Sequence, residues 1–214
     1  VHRYQRPLIA IAVALAALAG FVDAIAFSAL GFFTSFMSGN STRMGVALGG
    51  HELGDAAIAG ALLLAFLAGV IAATVVAHAF VARRKVAVMA LVTILLLLAA
   101  SLAGPLSDRI DLLLVAAAMG AANGVFARDG EVTIGVTYMT GSLVKLGQKL
   151  AAALIGDSDR WGWLPYLALW AGFAAGAVMG AGGFIQLGMS ALWVAVGGAA
   201  VLTGVVAWVA PTVE

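Results

Sequence analysis

Asp23 stands between Val22 and Ala24 inside a long apolar run, and this lone carboxylate is the first residue with chemistry to explain. A charged side chain in hydrocarbon costs about 2.5–3.5 kcal/mol even on lenient insertion scales, so it should face a bundle interior or a water-filled cavity. Burial disfavours the charged form of a carboxyl, which suits a proton-coupling group. The competing reading is a structural carboxylate bonded to a neighbouring helix.

Two short polar motifs follow the same logic. One is Met37-Ser38-Gly39-Asn40-Ser41-Thr42-Arg43; the other is Met139-Thr140-Gly141-Ser142-Leu143-Val144-Lys145. Ser38 and Thr140 are good helix N-caps, so helices are expected from them to about Gly50 and Leu154. If each chain first dips into the membrane, the free N–H groups and the positive end of the helix point into the bundle. Arg43 and Lys145, one turn in, would add positive charge. This favours an anion or a carboxylate-bearing solute, held by Ser38, Gly39, Asn40, Arg43, Asn123, Thr140, Gly141, Ser142 and Lys145, with Asp23 as the proton-coupling candidate. Against it stands the pattern of Met139, Leu143, Leu146 and Leu150, which also fits an amphipathic helix lying on the membrane surface.

Enzyme chemistry finds little support. There is no cysteine, no carboxylate pair within the apolar runs and no Gly-x-Ser-x-Gly; His2, His51 and His78 are scattered without metal-ligand spacing. No cofactor and no metal site is expected.

The elements that must carry these residues are membrane helices. Hydrophobic residues make up 64% of the 214 and charged ones 10%, with a mean hydropathy of +1.11, too little polar surface to cover a soluble core. The net charge of +1 gives no sign of a nucleic-acid partner. Six apolar segments stand out, at 8–30, 57–82, 86–104, 111–127, 163–185 and 189–210, each near the ~20 residues a span needs. The first is too long for a signal peptide and reads as an uncleaved helix; the chain opens on Val1, which suggests a trimmed or processed start. Prolines 7, 105, 165 and 211 fall at segment ends, where proline is tolerated.

Stretches 33–50 and 131–154 decide the topology. If neither crosses, an amino terminus inside puts Arg83, Arg84, Lys85, Arg128, Lys145, Lys149 and Arg160 on the inner side and leaves Arg43 and Arg109 outside. The positive-inside bias therefore favours six spans with both termini cytoplasmic, loops 51–55 and 105–110 outside, and loops 83–85 and 155–160 inside.

The two motifs belong to an internal repeat. Gly20-Phe21-Val22-Asp23-Ala24 aligns with Gly120-Ala121-Ala122-Asn123-Gly124, the Met37 motif with the Met139 motif, and Leu67-Ala68-Gly69 with Trp170-Ala171-Gly172. The halves, 1–104 and 105–214, each read as helix, polar motif, helix, helix within one membrane domain. Three spans per half is an odd number, so the second half enters from the opposite side, an inverted-topology repeat typical of transporters.

Taken together, Gly20-x-x-Asp23-Ala24, Ser38-Gly39-Asn40, Ala122-Asn123 and Met139-Thr140-Gly141 resemble the YoaK-like family over nearly the whole chain. The resemblance implies six spans in a bacterial inner membrane and supplies no substrate. It also implies Thr where this chain has Ser38, a departure that keeps the hydroxyl.

Other features read as structural. Arg83-Arg84-Lys85 is a topology anchor, His78 is interfacial, and Trp161 and Trp163 suit an interfacial belt. Gly172, Gly176 and Gly180, with Ala65, Gly69 and Ala73, form small-residue ladders that pack the halves together or join two copies as a homo-oligomer. The expectation is an all-α membrane transporter or channel for a small anionic solute, with its site between the halves. The runner-up is a non-transporting scaffold or partner-binding subunit.

Overall fold

A computed structural model describes residues 6–104, 109–128, 131–132, 135, 137–156 and 159–209. The expected loops 105–110 and 155–160 lie partly outside these residues, as do His2, Arg3 and Pro211. Among the described residues there are eight α-helices: α1 (Arg6–Leu30), α2 (Met37–Gly49), α3 (Leu53–Ala79), α4 (Arg84–Leu102), α5 (Ile110–Ala122), α6 (Met139–Leu154), α7 (Leu164–Leu187) and α8 (Leu192–Val209). A two-residue strand pair, β1 (Ala127–Arg128) and β2 (Glu131–Val132), was not expected from the sequence; it is an antiparallel hairpin between α5 and α6.

Among the described residues, four stretches are long and apolar enough to cross a membrane: Pro7–Leu30, Leu53–Ala79, Val81–Leu102 and Leu164–Val209. The last, 46 residues, contains both α7 and α8, which are separated by a 3₁₀ turn opening on Gly188 at φ 57. Ile110–Phe126 is a shorter apolar helix. On α8 the exposed Trp193 and Trp208 stand 15 residues apart, roughly 22 Å at 1.5 Å per residue, like the two rims of an aromatic belt.

Backbone proximity organises the bundle. The most extensive interhelical contacts join α1 to α7 and α3 to α5. A Cβ placed at Gly172, Gly176 or Gly180 would meet Val13, Ala17 or Phe21 in turn, so α1 and α7 run parallel. Gly69 lies against Ala117 and Gly124 against Ala73, so α3 and α5 also run parallel. Leu8 and Ile11 share a small apolar cavity with Val206 and Val209, while Leu18 reaches Gly198, so α8 runs against α1. Lys85 lines that cavity and the Thr93 hydroxyl lies 2.9 Å from that of Thr203, so α4 runs against α8. Thus α1, α4 and α7 point one way, and α3, α5 and α8 the other. Lipid tails give little drive for helix association, so it rests on close van der Waals packing of this kind.

The buried core follows from that arrangement. Leu15, Val22, Ile25, Val88, Met89, Val92, Leu96, Val115, Met119 and Leu192 are all nearly inaccessible. A second cluster of Ala26, Phe32, Ala59, Leu62, Leu112 and Ala116 lies where α1, α3 and α5 meet the segment before α2.

Candidate functional site

The chain leaves α1 at Leu30, turns at Gly31 with φ 75, and doubles back. Asp23 holds the returning segment. Its Oδ1 accepts the backbone N–H of Thr34 at 2.7 Å, that of Ser35 at 2.6 Å and the Thr34 hydroxyl at 3.0 Å, while Oδ2 accepts the Ser35 hydroxyl at 2.6 Å. Asp23 lies seven residues before Leu30, so the segment returns roughly 10 Å along α1 before α2 begins. Asp23, Thr34 and Ser35 are all buried, and four donors satisfy the one carboxylate.

Asn40 performs the second fixation. Its Oδ1 accepts the Phe33 N–H at 3.0 Å and its Nδ2 donates to the Phe33 carbonyl at 2.6 Å, so a side-chain amide substitutes for a neighbouring strand. Phe33 stacks on Phe27 and meets Phe36 edge-on. The Arg43 guanidinium lies 4.4 Å above the Phe32 ring, a cation–π contact.

Among the described residues, the polar contacts at Asn123 are fewer than those at Asp23. Asn123, buried at the end of α5, donates to the Met119 carbonyl at 3.0 Å and accepts the Thr137 hydroxyl at 3.2 Å. Ser35 and Thr137 are separated by 102 residues, the offset of the polar motifs, and each hydroxyl donates to a buried polar side chain earlier in the chain, Asp23 in one case and Asn123 in the other. Ser142, the counterpart of Asn40, is buried too.

Some sequence expectations need correction. Ser38 and Thr140 do not cap their helices. Both helices start earlier, at Met37 and Met139, with Phe36 and Tyr138, two residues before the expected caps, at the cap positions and no side-chain cap bond. Asp23 and Asn123 hold the entering segments from below, so a capping hydroxyl is not needed there. Ser38, Thr140 and Gly141 are exposed, and Gly39 packs against the Phe33 and Phe36 rings.

Arg43 and Lys145 are not brought together. Arg43 sits at Phe32, just past the end of α1, whereas the Lys145 ammonium lies 5.9 Å from the Tyr166 ring near the start of α7. With Gly172 level with Val13, Tyr166 lies near the opposite end of α1, so the two cations are separated along the bundle by on the order of 35 Å. They cannot line one site. Thr34, Ser35, Phe33 and Thr137 were missed by the sequence reading. The hydroxyls shared by Ser35 and Thr137 at the motif offset were the signal that could have found two of them. Among the described residues no group of histidines or carboxylates could hold a metal ion.

A family model described as a protein of unknown function (DUF1275) matches residues 11–205. A UPF0700 transmembrane protein of Rhizobium meliloti (strain 1021) is 34% identical over 186 residues, covering 87% of this chain and 80% of that relative. No solved structure matches. The relative's description and the long apolar helices together make this a multi-pass transmembrane protein.

Proposed function

The chain belongs to the DUF1275 family of transmembrane proteins, and from that premise we propose that it is a small membrane transporter for a carboxylate-bearing or otherwise anionic solute. Its YoaK-like motifs are taken as kinship within that family. The observation that carries the proposal is the repeated fixation, Asp23 with Ser35 and Asn123 with Thr137, on helices that run in opposite directions. α1 and α5 occupy equivalent places in the repeat, and so do α3 and α7, and α4 and α8. Exchanging the halves turns the α1–α7 seam into the α5–α3 seam. This supports six spans, with α7 and α8 crossing separately and α5 extended by its 3₁₀ turn, arranged as a 3+3 inverted repeat. Each motif helix then starts below the end of its preceding span, in a re-entrant position.

The arrangement departs from a single anion site shared by Arg43 and Lys145. Each half carries its own polar station, near opposite faces of the bundle, which suits alternating exposure. Asp23 remains the proton-coupling candidate. Its Oδ2 faces a hydroxyl that can accept as well as donate, so a proton on Oδ2 needs only Ser35 to turn round. Asp23→Asn should fold, because Asn123 already fills the equivalent place. The test is flux in proteoliposomes with and without a pH gradient. Wild-type uptake of small carboxylates should be driven by the gradient, and Asp23→Asn should lose that drive while keeping exchange. No flux of any carboxylate or inorganic anion would leave a scaffold or partner-binding subunit as the better reading.

The proposed orientation puts both termini and the Arg83-Arg84-Lys85 turn on the cytoplasmic side of a bacterial inner membrane, with 51–55 outside. The chain has no cysteine, so single cysteines report cleanly. A cysteine replacing Gly54 should react with an impermeant thiol reagent in intact cells, and one replacing Arg84 only after permeabilisation. Labelling of position 84 in intact cells would reverse the orientation.

A further inference from the structure

Lys85, in the first turn of α4, is half-buried and lines a shallow, partly open groove. Its other walls are apolar, with Leu8 and Ile11 from α1 and Val206 and Val209 from α8. Arg84 is half-buried as well, and Arg83 is exposed. None of these three side chains makes a hydrogen bond or an ion pair among the described residues. Their own helix does not supply the missing negative charge. The first turn of α4 carries no acidic residue, and its cap position is Arg83, without a side-chain cap bond. The positive end of the α4 dipole therefore adds to the three cations. Of the carboxylates whose side chains are described, Asp159 is the one toward this end of the bundle, and it holds Lys149 at 3.1 Å. Trp208, exposed one residue before Val209, sets the depth. An exposed tryptophan at a helix end marks the level of the lipid headgroups. From Val209 an apolar track continues along α8 in steps of one turn, through the exposed Val205 and Val201.

We propose that this groove binds one anionic phospholipid, with its phosphate at Arg84 and Lys85 and an acyl chain along Val209, Val205 and Val201. The site stands whether or not the chain moves a solute. Phosphate is the anion that a bilayer presents at the depth of Trp208, and basic pockets between membrane helices are where anionic headgroups bind. The stem of Lys85 lies on the apolar groove wall while its ammonium reaches the headgroup level. The headgroup must carry net negative charge. Choline or ethanolamine would bring an ammonium against three cations that have no counter-ion among the described residues. A soluble phosphate would meet the cations but leave the apolar groove and the α8 track unused.

The experiment titrates delipidated full-length chain in detergent with dioleoyl phosphatidylglycerol, dioleoyl phosphatidylcholine or glycerol 1-phosphate. Bound lipid is followed by native mass spectrometry and stability by melting temperature. Wild type should bind phosphatidylglycerol roughly fivefold or more tightly than phosphatidylcholine, and glycerol 1-phosphate should not raise its melting temperature. Lys85→Gln and Arg84→Gln should each weaken phosphatidylglycerol binding roughly fivefold, the effect of one cation beside an anionic headgroup. Their lipid-free melting temperatures should stay at the wild-type value, and Lys85→Arg should keep wild-type binding. Arg160→Gln removes a cation outside the groove and should also bind like wild type. Equal binding of the two lipids overturns the proposal, as does equal stabilisation by glycerol 1-phosphate, which would leave the groove without a part. A loss in Arg160→Gln as large as that in Lys85→Gln would reduce the effect to diffuse surface charge and overturn it too. So would a lipid-free melting temperature that falls in Lys85→Gln while the lipid preference stays, since the cation would then be structural. A dimer in the same spectra that phosphatidylglycerol does not displace would give the groove to a second copy of the chain. Should Lys85→Gln fail to fold, Arg84→Gln and the comparison of the two lipids decide.

Discussion

Asp23→Ala is expected to lower the stability of the folded chain by about 3–5 kcal/mol, the largest loss of any single polar substitution in the protein. The magnitude follows from what alanine leaves behind. Two backbone N–H groups and two hydroxyls of Thr34 and Ser35 lose their acceptor while buried, and each unmet donor costs about 1–3 kcal/mol. The hydroxyls can recover part of this by turning to nearby carbonyls; the two backbone N–H groups cannot. Asp23→Asn should cost only about 1–2 kcal/mol, because an amide oxygen still takes the backbone donors and the amide nitrogen can donate to Ser35. Ser35→Ala should cost about 1 kcal/mol, the worth of one ordinary hydrogen bond. The order Ala, then Asn, then Ser35→Ala is read from melting temperatures in detergent. An Asp23→Ala protein that melts with wild type would mean that the segment before α2 does not rest on this carboxylate. The series also separates coupling from architecture: Asp23→Asn loses the titrating proton and keeps the fold, whereas Asp23→Ala loses both.

The sequence showed the helices plainly because lipid imposes a long, uninterrupted apolar run on each span. The apolar segment proposed at 8–30 became α1 at Arg6–Leu30, and that at 163–185 became α7 at Leu164–Leu187. The paired motifs were visible because matching residues recur at offsets of 100, 102 and 103, and the two motif helices begin at Met37 and Met139, 102 residues apart. The caps of those helices were misplaced by two residues. Ser38 and Thr140 have the composition of N-caps, but tertiary donors and acceptors had already fixed the entering chain from residues 11 to 14 positions away. Propensity describes a helix end in water and gives no account of one held by a buried carboxylate. The separation of Arg43 from Lys145 was beyond reach for a related reason. The repeat read from the sequence relates them, but the structure sets Arg43 at Phe32 and Lys145 at Tyr166, and only the parallel α1–α7 seam reveals how far apart those places lie.

Those seams carry the second large expected effect. Gly176→Ala on α7 and Gly69→Ala on α3 should each destabilise by about 1–3 kcal/mol through overpacking. A Cβ at Gly176 would run into the Ala17 carbonyl oxygen, and one at Gly69 into that of Ala117. The obstruction in both cases is backbone, which cannot swing aside as a side chain can, so relief requires the helices to separate. Separation is expensive in a membrane, where interhelical adhesion comes from close contact and lipid offers no compensating hydrophobic gain. Gly197 on α8 supplies the control: a Cβ there meets nothing within 4 Å. Gly197→Ala should leave stability unchanged or raise it by up to about 1 kcal/mol, since alanine is the better helix former. Because α1–α7 and α3–α5 are distinct seams, the two destabilising changes should add to within about 0.5 kcal/mol in the double variant. Melting of the three single variants and the double in the same detergent decides the matter. If Gly69→Ala and Gly176→Ala melt like Gly197→Ala, the backbone contact on both seams is looser than described, and the parallel pairing that underlies the exchange of halves loses its support.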